Sequence, residues 1–274
     1  MRACDSLLPA RQRVPPIRHW LYRVWKLLRA AASVAIITSW ERASGVSELV
    51  PFAPRDRERW RYGAAMQTKR IATGCHASAF ILLLRPLVDA GIVPPQLAIS
   101  ANSLTGYSGG GKKMIAQYKA GGDPKLDSPR PYALTLAHKH VPEMMAHTGL
   151  TTRPAFLPMV ASFYKGLSVQ VLLHYAHLKA GTGGGCCNGC SNNATAGERF
   201  ARVMPMSDPA TLEDGYFDVQ ASNDTNRVDI FVFAAADQAL LIARLDNLGK
   251  GASGAAVQSM NVHLGLDEGL GLPG

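Results

Sequence analysis

The chain reads as an α/β protein built on an open sheet. Three observations predict this: apolar runs punctuated by Gly and Pro from about residue 68 onward, strand-like stretches alternating with helix-like ones, and several long strand-like runs late in the chain. Its 274 residues leave room for one large domain or two ordinary ones. With 47% hydrophobic and 18% charged residues and a mean hydropathy of +0.00, composition excludes a disordered chain, collagen, a coiled coil and a small disulfide scaffold.

Taken in order, residues 77–90 form a mostly apolar helix (Phe80, Ile81, Leu82, Leu83, Leu84, Leu87, Val88), closed by Gly91 with Pro94 just beyond. A strand over 96–103, a helix over 114–119 and a strand over 132–137 follow. Long strands are expected over 163–175, 227–233 and 238–245, with a closing helix over 252–264. Residues 179–193, rich in Gly, Cys and Asn and without periodicity, read as a loop or insertion.

Residues 1–67 differ from the rest. Residues 1–70 hold 14 Lys and Arg against 5 Asp and Glu, whereas residues 71–274 hold 15 of each kind. A nucleic-acid-binding protein usually spreads its basic patch over the folded domain, so no nucleic-acid partner is expected. Residues 19–29 can form a basic amphipathic helix, which suits an organelle transit peptide or a surface-lying helix; a non-native or poorly ordered leader is the alternative. The apolar stretch 30–40 is well short of the ~20 residues a spanning helix needs, so no membrane span is expected. Five cysteines, three of them crowded together, point to a reducing compartment: the cytoplasm, or an organelle if the leader is a transit peptide.

Five features could carry chemistry. Cys75 lies just before the apolar helix, where unpaired N–H groups favour a thiolate, although a lone cysteine is more often a small core residue. The stretch from Gly106 to Lys113 (GYSGGGKK) follows a strand and opens a helix; Ser108, Gly109 and Lys112 there suit a phosphate or carboxylate site, and a flexible turn is the plain alternative. His138 and His140 emerge at the end of a predicted strand. They suit a general base or substrate contact better than a metal, for which no further ligand is spaced; a hydrogen-bonded surface turn is the alternative. Cys186, Cys187 and Cys190 contain a Cys-x-x-Cys with no second half, which favours an unliganded loop. Finally, Asn247, Gly249, Lys250 and Gly251 lie where a strand passes through glycines into a small-residue helix, allowing close approach of a ligand or of another helix.

Together, the Gly-Cys ahead of RPLVDAG, SLTGYSGGGKKMIAQY, LAHKHVPEM, SFYKGLSVQV, TNRVDIFVF and LDNLGKGASGAAVQ resemble the shorter branch of the N-acetyl-γ-glutamyl-phosphate reductase family over about residues 69–272. The resemblance implies reduction of a small anionic acyl phosphate to a semialdehyde by NADPH, through a thioester on Cys75. His140 would handle the proton and His138 would lie nearer the substrate. It further implies Ser108, Gly109 and Lys112 at the substrate, Asn247, Gly249, Lys250 and Gly251 at the nicotinamide end of NADP, no metal, and a homodimer or homotetramer. The implied architecture is semialdehyde-dehydrogenase-like. A remnant Rossmann-like dinucleotide-binding lobe (68–102 and 247–274) carries the cysteine, and a second α+β lobe (103–246) holds a large mixed sheet for catalysis and dimerisation, with 179–193 as an irregular insertion.

The chain departs from the family pattern in two places. Ala72-Thr73-Gly74-Cys75 lacks the Asn of the usual Asn-Pro-Gly-Cys. The glycine-rich turn expected to cradle the NADPH pyrophosphate is absent from residues 1–67, so an impaired enzyme or a non-catalytic, oligomerising remnant is one alternative, and an aspartate-semialdehyde-dehydrogenase-type enzyme another.

Overall fold

The structure, a computed structural model, describes residues 74–274. The expected leader over 1–67 and the amphipathic helix over 19–29 lie outside the described residues. The first described element is helix α1 (Cys75–Asp89). Ten of its residues, from His76 to Leu87, are buried, so it forms a central strut of the core. Gly91, at φ 67, ends it with a left-handed turn.

The described strands make one seven-stranded mixed sheet: β1 (Ser100–Gly106), β2 (Arg130–Pro131), β3 (Ala155–Ala161), β4 (Leu167–His174), β5 (Ala201–Val203), β6 (Val228–Ala234) and β7 (Gln238–Leu245), in the order β2-β3-β1-β4-β7-β6-β5. β1 with β3 and β5 with β6 are parallel, and the other pairs are antiparallel. The registers Leu167↔Leu245, Val169↔Ala243 and Val171↔Leu241 place these side chains on one face, and α1 packs on that face. The opposite face is partly covered around buried Asp229, which pairs with Arg202, Arg227 and Arg244. Elsewhere on it Leu172 is 61% and Leu157 36% exposed, an apolar surface that the described residues do not bury.

Helices α2 (Gly111–Ala120), α3 (Val141–Thr148), α4 (Gly184–Thr195) and α5 (Gly254–His263) complete the described part. Two expectations need correction. Residues 132–137 are not a strand: Ala133 (φ 55) and Leu136 (φ 58) are left-handed, and Leu136 N–H closes a turn on the Ala133 carbonyl. Residues 179–193 are not an irregular loop, because most of the stretch lies in α4, which buries Cys187, Cys190, Ser191 and Thr195 against the core. The Cys190 thiol donates to the Pro86 carbonyl at 3.2 Å, so burial overrides the poor helix propensity of Gly, Asn and Ser. The segments 74–102 and 247–274 contribute mainly helices and loops that pack on this one sheet.

Candidate active site

Gly74 caps α1 in an extended conformation, with φ −125 and ψ 109, and Cys75 is the first helical residue. A methyl group at Gly74 would lie 2.8 Å from Glu143 Oε2 and 3.1 Å from His140 Nε2. Only a glycine lets these two groups come so close to the start of α1. On another side, a methyl group at Gly251 would sit 2.5 Å from Cys75 Cβ, so the turn after β7 lies directly against the cysteine.

Burial pushes the half-buried Cys75 thiol up to about 11, against the lowering effects of the His76 N–H and the Lys139 charge. Burial thus opposes the thiolate that the helix origin favours. Burial also holds His138 down at about 4 and, with the charges of His138 and Lys139, His140 at about 3, while it lifts Glu143 to about 7. At neutral pH the imidazoles are uncharged, and Glu143 sits at its midpoint.

His138 and His140 lie just before α3, with His140 as its N-cap. The His140 N–H donates to His138 Nδ1 at 3.2 Å, and the two ring centroids are 4.9 Å apart. His140 Nδ1 is buried without a hydrogen-bond partner. His76 lies 5.6 Å from each of these rings. Among the described residues no group of three or more His, Cys, Asp or Glu is arranged to hold a metal ion.

The glycine loop is tied to the site through Asn247. Its side-chain amide donates to Ser108 Oγ at 2.9 Å, and its carbonyl oxygen accepts the Gly166 N–H at 2.8 Å. Gly109 lies beside the same side chain, whereas Lys112 is exposed on α2. Both ends of Asn247 are thus engaged within the protein. Lys250 also turns inward, donating to Gln258 Oε1 at 2.6 Å and lying 5.5 Å from the Phe200 ring centroid. Burial lowers its ammonium to about 7.

Gly249-Lys250-Gly251-Ala252-Ser253-Gly254 has the Gly-x-Gly-x-x-Gly spacing of a dinucleotide turn, follows a strand and opens a helix. It does not form a pyrophosphate cradle. The turn is a π-helix, and methyl groups on its three glycines would meet the Thr225 carbonyl at 2.7 Å, Cys75 Cβ at 2.5 Å and Asn226 Oδ1 at 2.3 Å. These glycines serve packing inside the protein. The described residues could adjoin the nicotinamide end of a dinucleotide at Gly251, beside Cys75, but this turn does not fit the pyrophosphate.

Sequence reasoning missed His76, Tyr132 and Glu143. Glu143 falls within the histidine motif, three residues after His140, and one helical turn was the available signal. His76 makes side-chain hydrogen bonds with Ser103 and Tyr132, and no spacing rule links either residue to it.

The semialdehyde dehydrogenase dimerisation domain matches residues 75–247. N-acetyl-gamma-glutamyl-phosphate reductase 2 of a Nostoc species is 41% identical over 239 residues, covering 80% of this chain and 74% of the relative. The enzyme of the same name from Burkholderia lata is 40% identical over 194 residues, covering 70% of this chain and 61% of its own length. Among solved structures, a probable aspartate-semialdehyde dehydrogenase from Pseudomonas aeruginosa aligns with a TM-score of 0.57 at 15% identity, covering 80% of this chain and 69% of that one. Aspartate semialdehyde dehydrogenase II from Vibrio cholerae aligns at 0.53 and 16%, over 70% and 61%. These two likenesses show the fold alone, and the chain spans only about three-fifths to three-quarters of the relatives it matches. Fold and sequence relatives agree, and the chain belongs to the N-acetyl-gamma-glutamyl-phosphate reductase family of semialdehyde-dehydrogenase-type proteins.

Proposed function

We propose that the chain reduces an N-acetylated γ-glutamyl phosphate to the 5-semialdehyde, with Cys75 as the nucleophile. The observation that carries this reading is the convergence of Glu143 and His140 on Gly74, at the origin of the helix that begins with Cys75. The Cys75 sulfur attacks the acyl carbonyl, its proton passes to the Glu143–His140 pair, phosphate leaves, and a thioester remains. Glu143, near pH 7, is matched to that transfer better than an imidazole held at about 3. NADPH, when bound, supplies the hydride that reduces the thioester. When the sulfur departs as a thiolate on release of the aldehyde, the same pair would return its proton to Cys75. Ser108 and Gly109 would face the anionic end of the substrate, with Lys112 an exposed charge on α2, and Gly251, beside Cys75, would adjoin the nicotinamide end of the dinucleotide.

The residues around α1 and α5 would adjoin a nucleotide-binding lobe, and the mixed sheet would form the second lobe, for catalysis and dimerisation. A second copy of the chain would cover the apolar sheet face that carries Leu157 and Leu172, in keeping with the matched dimerisation domain.

The test is the reverse reaction with semialdehyde, phosphate and NADP, comparing the chain with Cys75→Ser. Cys75-dependent NADPH formation is expected, and equal rates would remove the sulfur from the mechanism. A melting-temperature rise on adding NADPH separates an enzyme from a non-catalytic remnant, for which no shift at millimolar NADPH is the outcome.

A further inference from the structure

His76, next to the nucleophile and buried, makes two side-chain hydrogen bonds whose directions can be deduced. Ser103 Oγ lies 3.0 Å from the Ser168 carbonyl, which can only accept, so the serine hydroxyl donates its one proton there. Ser103 Oγ must then accept from His76 Nδ1, 2.8 Å away. Burial, with the charges of His140, His138 and Lys139, keeps the imidazole neutral, so its single N–H is on Nδ1 and Nε2 is bare. The Tyr132 hydroxyl, 3.0 Å from Nε2, donates to it.

A backbone carbonyl of β4 therefore sets, through Ser103 and His76, the direction of a phenol in the site. Tyr132 is half-buried, and its ring centroid lies 5.7 Å from that of His138. With its proton committed to His76, the Tyr132 oxygen offers only lone pairs to the pocket.

We propose that Tyr132 contacts the substrate as a hydrogen-bond acceptor, with His76 and Ser103 as its positioning residues, and that it recognises the amide N–H of an N-acylated substrate. This rests on the reductase reading. In that substrate the carboxylate and the phosphate only accept at neutral pH, and the amide N–H is the donor. A site built to bond an N–H discriminates against the analogue that lacks one.

The experiment measures calorimetric binding of N-acetylglutamate and of glutarate, which lacks the amide, to the full chain, Tyr132→Phe and Ser103→Ala, with ¹⁵N spectra of histidine-labelled protein alongside. The unaltered chain is expected to prefer N-acetylglutamate by roughly tenfold or more. Tyr132→Phe should bring that ratio near unity, Ser103→Ala should lower it part-way, and His76 should show a protonated Nδ1 that Ser103→Ala loses. A protonated Nε2 in the unaltered chain, no preference for N-acetylglutamate, or a ratio untouched by Tyr132→Phe overturns the proposal. Failure of the reductase reading would show elsewhere, as a preference without Cys75-dependent turnover.

Discussion

Cys75 at the start of α1 and the cysteines of α4 are the same residue in two surroundings. Burial raises both kinds of thiol, to about 11 at Cys75 and about 12 at Cys187, so acidity alone does not tell them apart. Their neighbours do. Cys75 lies among Lys139, Glu143, His140 and Tyr132 and is half-buried, whereas Cys187 is fully enclosed in the apolar core and Cys190 gives its thiol to the Pro86 carbonyl. A chemically useful cysteine is defined here by what can take its proton and by access to it.

The sharpest break in this comparison is substitution. Cys75→Ser is expected to lower turnover by roughly a thousandfold or more, while Cys187→Ala leaves the rate constant per folded molecule within about threefold and lowers stability instead. Kinetics paired with denaturant melts read both effects. Next in size is Gly251→Ala, whose methyl group must displace Cys75; a hundredfold loss of turnover, roughly, is expected with the fold retained, because misplacing a nucleophile by about 1 Å costs that much.

A smaller effect concerns pH. If Glu143 accepts the proton as a carboxylate, turnover rises with pH through about 7, and Glu143→Gln removes that limb of the profile. The smallest effect is on stability. Lys250 titrates near 7 when folded and near 10.5 when unfolded, so between these values the unfolded chain binds the extra proton and stability rises with pH. Melts between pH 7 and 9 should show that rise, and Lys250→Met should flatten it.

The sequence made the hydrophobic scaffold legible where periodicity and chain punctuation agree. The run ending at Gly91 is α1, and residues 238–245 are β7 as read. Local signals misled where tertiary packing decides. No strand was expected over 155–161, where Pro158 falls, yet in β3 the Pro158 carbonyl accepts the Tyr132 N–H and its neighbours pair with β1. The Gly- and Asn-rich residues of α4 fold because Cys187 and Thr195 have a core to enter.

The site divides in the same way. Cys75 and the histidine pair stood out as residue types in a telling local context, and Gly251 as a glycine in a small-residue turn. Tyr132 and Ser103 did not, because their link to His76 spans 56 and 27 residues and exists only once β1, the 132–137 turn and α1 have been brought together. Asn247 and Lys250 illustrate the converse: polar residues in a glycine-rich turn invite a ligand reading, but both spend their side chains inside the protein.

The central claim, that one sulfur captures the acyl group, is tested most directly by intact-mass and peptide mapping after incubation with N-acetyl-γ-glutamyl phosphate in the absence of NADPH. An acyl adduct on the Cys75 peptide, released by hydroxylamine and missing from Cys75→Ser, is predicted. No adduct, or one mapped to Cys187 or Cys190, would contradict the account.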